Sequence, residues 1–122
     1  MEHEVAMAAG FYHLIIEQGA TFQRVLTIKD AAGSVVNTTN YTGEMDLRKE
    51  HDDSAEVLTL TNANGRVSMG GANGKITLLV SATDTGNLDE GEGVYDLKIT
   101  SSGGVSDRII EGTYSIRRGV TR

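Results

Sequence analysis

Apolar and polar residues alternate along the C-terminal third of the chain, with a Gly- and Ser-containing turn at 101–104 between two alternating stretches. A period of two is typical of β-strands that pack one face on a core and leave the other in water. The inward set is Tyr95, Leu97 and Ile99 before the turn, and Ile110, Gly112, Tyr114 and Ile116 after it. We expect Ile109, Glu111, Thr113 and Ser115 on the solvent side.

Shorter alternating runs predict six further strands. The chain has no proline, so its turns depend on Gly, Asn, Asp and Ser, and Asn64-Gly65 and Asn73-Gly74 are strong tight-turn signals. This spacing predicts an all-β fold: a single antiparallel β-sandwich of immunoglobulin-like architecture with about eight strands. The eight predicted strands span residues 11–17, 21–29, 41–49, 56–61, 66–69, 75–81, 94–100 and 107–117.

Helical structure is limited to one short turn, because Ser81 followed by Asp84 matches a helix N-terminal capping pattern just before Gly86. Residues 1–10 contain small and polar side chains and are predicted to form a flexible arm, so the sandwich domain covers residues 11–122. The residues that share the inward phase of their strands are the predicted core: Leu26, Met45, Leu47, Ile76, Leu78, Leu97, Ile110 and Ile116.

Composition excludes several classes of protein. With 122 residues the chain fits one domain, and without cysteine it has neither disulfides nor thiolate metal sites. The formal net charge of −6 argues against a nucleic-acid partner, which requires a basic face. No stretch approaches the length of a membrane span, and the N-terminus has no secretory signal pattern. We therefore expect no membrane partner.

Candidate chemistry is sparse. Neither His3 nor His13 has a nucleophile placed beside it, and the charged run around His51 is read as a solvated hairpin loop. The acidic stretch 84–93 fails the EF-hand spacing; a weak cation site using Asp89, Glu90 and Glu92 stays open, with an ordinary acidic turn preferred. We expect no catalytic, cofactor-binding or metal-binding residues, and therefore no enzyme.

Several segments, in order along the chain, resemble a family of small bacteriophage virion proteins that includes tail-collar and fibre-attachment proteins. The resemblance covers about residues 14–122 and rests on 16–22, 41–48, 74–78, 93–97 and 111–122. It implies a β-sandwich without catalytic residues, located in the virion and assembled in the bacterial host cytoplasm. The implied function is that of a tail collar or baseplate ring or adaptor subunit connecting the tail core to fibres. A capsid decoration or head–tail protein is the alternative within the virion.

A carbohydrate-binding β-sandwich is the alternative from another class. Such sites usually present exposed aromatic side chains, and most of the six aromatic residues here fall on predicted inner faces.

Two hypotheses concern charged side chains. Asp96 lies mid-strand and is expected either to pair with Arg48 or Arg108 or to be solvated. The basic C-terminal tail complements the acidic body, which suggests a head-to-tail ring of identical copies whose partners are neighbouring copies and other tail or fibre proteins. The predicted assembly interface comprises Glu2, Glu4, Arg117, Arg118, Val120 and Arg122.

Overall fold

The computed structural model describes residues 2–6 and 10–120, and for residues 2–6 the backbone alone. Within these residues, nine strands, one short helix and one 3-10 turn form two packed layers. The helix α1 is Ala82–Gly86 and the 3-10 turn is Gly71–Asn73. The strands are β1 (Glu2–Ala6), β2 (Gly10–Glu17), β3 (Phe22–Lys29), β4 (Thr42–Arg48), β5 (Leu58–Thr61), β6 (Val67–Met69), β7 (Lys75–Val80), β8 (Gly91–Thr100) and β9 (Ser106–Arg117).

The two sheets confirm the predicted β-sandwich. One sheet has the order β1-β3-β7-β6, and the other has the order β2-β9-β8-β4-β5. Most strand pairs are antiparallel, but β1 runs parallel to β3 and β2 runs parallel to β9. β2 and β9 come from opposite ends of the chain, so no hairpin fixes their relative direction.

The core lies between the sheets and is mainly aliphatic. All eight residues predicted to be buried are at most 3% exposed, which confirms the inward phase of their strands. Among residues 10–120, twenty hydrophobic side chains form this cluster, and the largest of them that is fully buried is Tyr114. Since the cluster draws on both sheets, it holds the two layers face to face.

A β-bulge in β9 changes the face on which Ile109 lies. Leu97 pairs with Ile110 and Lys98 pairs with Arg108, so Ile109 is an extra residue between them. The prediction that Ile109 faces solvent is therefore wrong: its side chain is fully buried. Two adjacent residues, Ile109 and Ile110, lie in the core. Residues of β9 before the bulge therefore face the opposite side from the one that simple alternation predicts.

The predicted flexible arm also needs a correction. Within residues 1–10, Glu2–Ala6 forms β1 and pairs with β3 in the register Glu2↔Val25 to Ala6↔Lys29, and Gly10 begins β2. The arm was predicted because large apolar side chains are scarce there. Pairing with an existing sheet edge relies on backbone hydrogen bonds, which do not require such side chains. Residues 1 and 7–9 lie outside the described residues.

The single predicted helical turn is present at α1. The Ser81 hydroxyl accepts a hydrogen bond from the Asp84 backbone N–H at 3.1 Å, as the capping pattern predicts. Thr85 is fully buried and its hydroxyl donates to the Ala20 carbonyl at 2.8 Å. This contact ties α1 to the turn between β2 and β3.

Candidate functional site

The outer edge of β2 is the first candidate interaction surface. β2 is the terminal strand of its sheet, and no strand lies beyond it in the described part of the chain. Its exposed side chains include Phe11 at 71%, Ile15 at 39% and Tyr12 at 37%, three of the seven large hydrophobic side chains exposed among the described residues. A long edge strand with apolar side chains and no lysine or proline favours pairing with another chain.

A close backbone approach holds β2 against β9. Gly112 pairs with Tyr12, and a Cβ at position 112 would collide with the Tyr12 carbonyl. The same carbonyl accepts a hydrogen bond from the Tyr95 hydroxyl at 2.8 Å. Burial raises the pKa of Tyr95, so this donor keeps its proton. The alternation placed Gly112 on the inner face but gave no sign that it adjoins β2.

His13 is fixed on the outer face of β2 by two hydroxyl groups of β9. Its Nδ1 lies 2.6 Å from the Thr113 Oγ1 and its Nε2 lies 3.0 Å from the Ser115 Oγ. Both contacts match the parallel register of the two strands. They give His13 a role in joining β2 to β9.

The opposite edge of the same sheet is closed by side chains. The Thr59 carbonyl of β5 accepts hydrogen bonds from the Arg66 guanidinium at 2.8 Å and from the Asn64 amide at 2.9 Å. The Thr61 N–H donates to the side-chain Oδ1 of Asn64 at 3.0 Å. Arg66 also pairs with Asp84 at 2.9 Å. These contacts occupy edge groups that another strand would otherwise use.

A groove of about 370 Å³ on the outer face of the five-stranded sheet is the second candidate surface. Strand register places one residue from each of five strands in a row across this face, in the order Phe11, Glu111, Asp96, Asp46 and Thr59. Phe11 stands at one end of the groove, and Val94, Gly112 and Thr113 also line it. The groove therefore combines an aromatic side chain with charged groups.

Arginines hold the carboxylates of this row. The Arg108 Nε lies 3.1 Å from the Asp96 Oδ2, which confirms that an arginine pairs with Asp96 and identifies it as Arg108. Arg108 also approaches Glu111 at 3.8 Å. Arg48, the other candidate, lies 3.4 Å from Asp46. The bulge at Ile109 places Arg108 on the outer face of the sheet. The buried bulge is therefore what allows the exposed ion pair with Asp96.

Strand β4 carries two neighbouring carboxylates on this face. Glu44 and Asp46 lie two residues apart on the same side of β4, and the carboxylate of Asp46 raises the pKa of Glu44. Lys98, opposite Glu44 in the register, acts in the other direction. The outer face therefore has a net surplus of carboxylates near the groove.

The residues predicted for the assembly interface fall in different places. Arg117 ends β9 and lies 3.6 Å from Glu17 at the end of β2, while Arg118 and Val120 are exposed. Glu2 and Glu4 belong to β1 in the other sheet, and their side chains are not among those described. Arg122 lies outside the described residues. Contact of this set with a neighbouring copy stays a prediction.

The remaining candidates lie on loops or, for Glu92, at the start of β8. His51 lines the groove, and Asp89, Glu90 and Glu92 are exposed on and beside the loop that precedes β8. Across residues 10–120, no group of three or more His, Asp or Glu side chains is arranged to hold a metal ion. In the described residues, no helix has the length and apolar character needed to cross a membrane.

Comparison with known proteins supports the fold. No protein-family model and no curated protein sequence matches the chain. Among solved structures, the N-terminal domain of phage TP901-1 ORF48 matches with a TM-score of 0.55 and 13% identity, covering 96% of this chain and 99% of that one. Extracellular domains 3–5 of Drosophila OTK align over 91% of this chain and 34% of that chain at 14% identity, but the TM-score of 0.32 is too low to indicate a shared fold.

Proposed function

We propose that this chain is a non-enzymatic structural protein of a bacteriophage virion. The observation that carries the proposal is the correspondence in fold with a phage protein domain over nearly the full length of both chains. The sequence segments that resemble small phage virion proteins, and that follow the same order along the chain, support it independently. A tail location, at the collar or baseplate and between the tail core and fibres, is the finer form of the proposal.

The proposed mechanism is geometric. Identical copies form a closed ring, and each copy uses its sheet edges to contact neighbours or other tail and fibre proteins. The edge of β2 suits this role because it combines strand backbone with exposed Phe11, Tyr12 and Ile15. Apolar contact would supply most of the affinity, while charge would select the register.

Native mass spectrometry of the purified chain tests the role of the edge. We expect a defined oligomer in the wild type and a monomer in Ile15→Lys, because lysine on an edge strand opposes pairing. Leu79→Lys is the matched control, since Leu79 is equally exposed at 39% but lies in β7, a central strand of the other sheet. A monomeric wild type, or equal loss of oligomer in both variants, would contradict edge-mediated self-assembly.

Electron microscopy of virions tests the location. Particles of the phage that encodes the chain are purified and labelled with an antibody against it. We expect label at one fixed position on the tail, in several copies per particle. Label on the capsid would favour a decoration role instead, and complete absence of the chain from the particles would overturn the virion proposal.

A further inference from the structure

The groove on the outer face has the features of a site for a small polar ligand. Its volume, about 370 Å³, falls within the range of about 300–1,000 Å³ that is usual for ligand pockets. Phe11 borders it and is 71% exposed, which makes it the most exposed of the described aromatic side chains.

The polar side chains of the groove are already oriented. Arg108 is hydrogen-bonded to Asp96 and lies near Glu111, while Arg48 contacts Asp46 and donates to the Asp53 carbonyl at 2.9 Å. Each pair presents both acceptors and donors in a fixed arrangement. Side chains that are held in this way lose less conformational entropy when a ligand binds.

The balance of charge indicates a neutral ligand. Two arginines and three carboxylates line the groove, which gives these five groups a net charge of −1. A phosphate would face the three carboxylates, and a cation would have to compete with arginines already paired to them. A ligand rich in hydroxyl groups can instead donate to the carboxylates and accept from the guanidinium groups.

The register supplies the apolar part of the site. Phe11 and Glu111 are directly paired, and Asp96 follows on the next strand, so an aromatic ring and two carboxylates lie along one row. Gly112 and Thr113 add little side-chain bulk beside that row. A pyranose has the matching form, with an apolar C–H face and a rim of hydroxyl groups. We propose that this groove binds a saccharide unit, with Phe11 against its C–H face and Asp96, Glu111 and Arg108 on its hydroxyl groups.

The site shares Phe11 with the edge proposed for assembly, but its other groups, Asp96, Glu111 and Arg108, lie on strands inside the sheet. NMR titration of the ¹⁵N-labelled chain with D-glucose, D-galactose, N-acetyl-D-glucosamine and L-rhamnose tests it. We expect at least one sugar to cause saturable shifts confined to groove residues, with dissociation constants on the order of millimolar for so open a site.

Variants then assign the contacts. Phe11→Ala and Asp96→Asn should each weaken binding at least tenfold, and Phe11→Tyr should retain it because the ring is kept. Val105→Ala, which changes another exposed hydrophobic residue on the β8–β9 turn, should bind normally. The dispersion of each amide spectrum shows whether the variant is folded, and Ile15→Lys measured in parallel separates sugar binding from self-assembly.

Two results in the experiments with sugars would overturn the proposal. One is the absence of saturable shifts with all four sugars and with immobilised bacterial polysaccharides. The other is binding that Phe11→Ala and Asp96→Asn leave unchanged. Titrations with inorganic phosphate and with a Lys-Lys dipeptide complete the test, since tighter binding of either in the groove would also contradict a neutral saccharide ligand.

Discussion

The two edge strands of the five-stranded sheet, β5 and β2, differ in whether side chains of a neighbouring turn are hydrogen-bonded to their outward backbone groups. β5 has four residues, and its Thr59 carbonyl and Thr61 N–H are bonded to side chains of the following turn. β2 has eight residues and its exposed side chains are partly apolar. Its Ile15 carbonyl accepts a hydrogen bond from the Arg24 guanidinium at 3.4 Å, but no turn folds back over the strand in the described residues. Within this sheet, β2 is therefore the edge better suited to pairing with another strand.

The largest expected effect comes from breaking the attachment of β2. Gly112→Ala places a Cβ against the Tyr12 carbonyl, so β2 must shift and the Tyr95 hydrogen bond is lost. We expect a loss of about 1–3 kcal/mol in the free energy of unfolding, as for other overpacked sites. Urea denaturation measures this loss, and amide hydrogen exchange should show faster exchange in β2.

Gly91→Ala is the matched control for that substitution. Gly91 lies in β8 with no atom close to the position of a Cβ, and its φ is not positive. We expect it to be close to neutral. Equal destabilisation by both substitutions would show that the approach of β2 to Gly112 does not hold the edge in place.

A smaller effect is expected from opening the closed edge. Asn64→Ala removes hydrogen bonds to the Thr59 carbonyl and from the Thr61 and Arg66 N–H groups. At about 0.5–1.5 kcal/mol net for each typical bond, and with Arg66 still bonded to Thr59, we expect a total loss of about 1–2 kcal/mol. Concentration-dependent association in analytical ultracentrifugation should increase, because β5 gains free edge groups.

Asn73→Ala tests whether that association is specific to the edge. Asn73 also precedes a glycine, and its side chain accepts a hydrogen bond from the Lys75 N–H at 3.0 Å, away from β5. We expect a smaller loss of stability and no new association. Association in Asn73→Ala as strong as in Asn64→Ala would indicate general destabilisation and not an opened edge.

The smallest effect concerns pH. Hydrogen bonding to Arg66 lowers the pKa of Asp84 in the folded protein below its usual value of 3.8. The ionised Asp84 carboxylate therefore stabilises the fold fully at a pH above its pKa in the unfolded chain. This stabilisation is lost as the pH falls through its pKa in the folded protein. Glu44 affects stability in the opposite direction. Its pKa is raised, mainly by Asp46, so its ionised form destabilises the folded protein at neutral pH, and protonation removes this destabilisation. The protection of the β5 amides, after correction for the intrinsic pH dependence of exchange, should therefore fall as the pH drops below 3.8, with no such change for β2.

Glu44→Gln separates the two carboxylates. Since Glu44 is exposed, we expect a gain below about 0.5 kcal/mol at pH 7 that disappears at acidic pH. Asp84→Asn should remove the acid-induced opening of β5 and leave the Glu44 effect intact. An acid response of β5 that persists in Asp84→Asn would place its origin elsewhere on the sheet.

The sequence determined eight of the nine described strands, the core and one helical turn, because these depend on local alternation and capping. It also predicted an arginine partner for Asp96 but could not choose between Arg48 and Arg108, since the choice depends on a bulge that alternation alone does not reveal. The same bulge made the prediction for Ile109 wrong. Local patterns could not place the aromatic Phe11 in a row with the carboxylates, because the five strands that make this row come from three separated parts of the chain.

Only the tertiary structure decided which strands are edges and which surfaces are open. The alternation of β2 resembles that of a central strand, and its position beside β9 follows from pairing between residues about 100 positions apart. The strand β1 escaped prediction because it is held by backbone pairing to β3, whereas the sequence reports mainly on side chains. Hydrophobic patterning thus fixes which face of a strand is buried, but the neighbours of that strand depend on the packing of the whole domain.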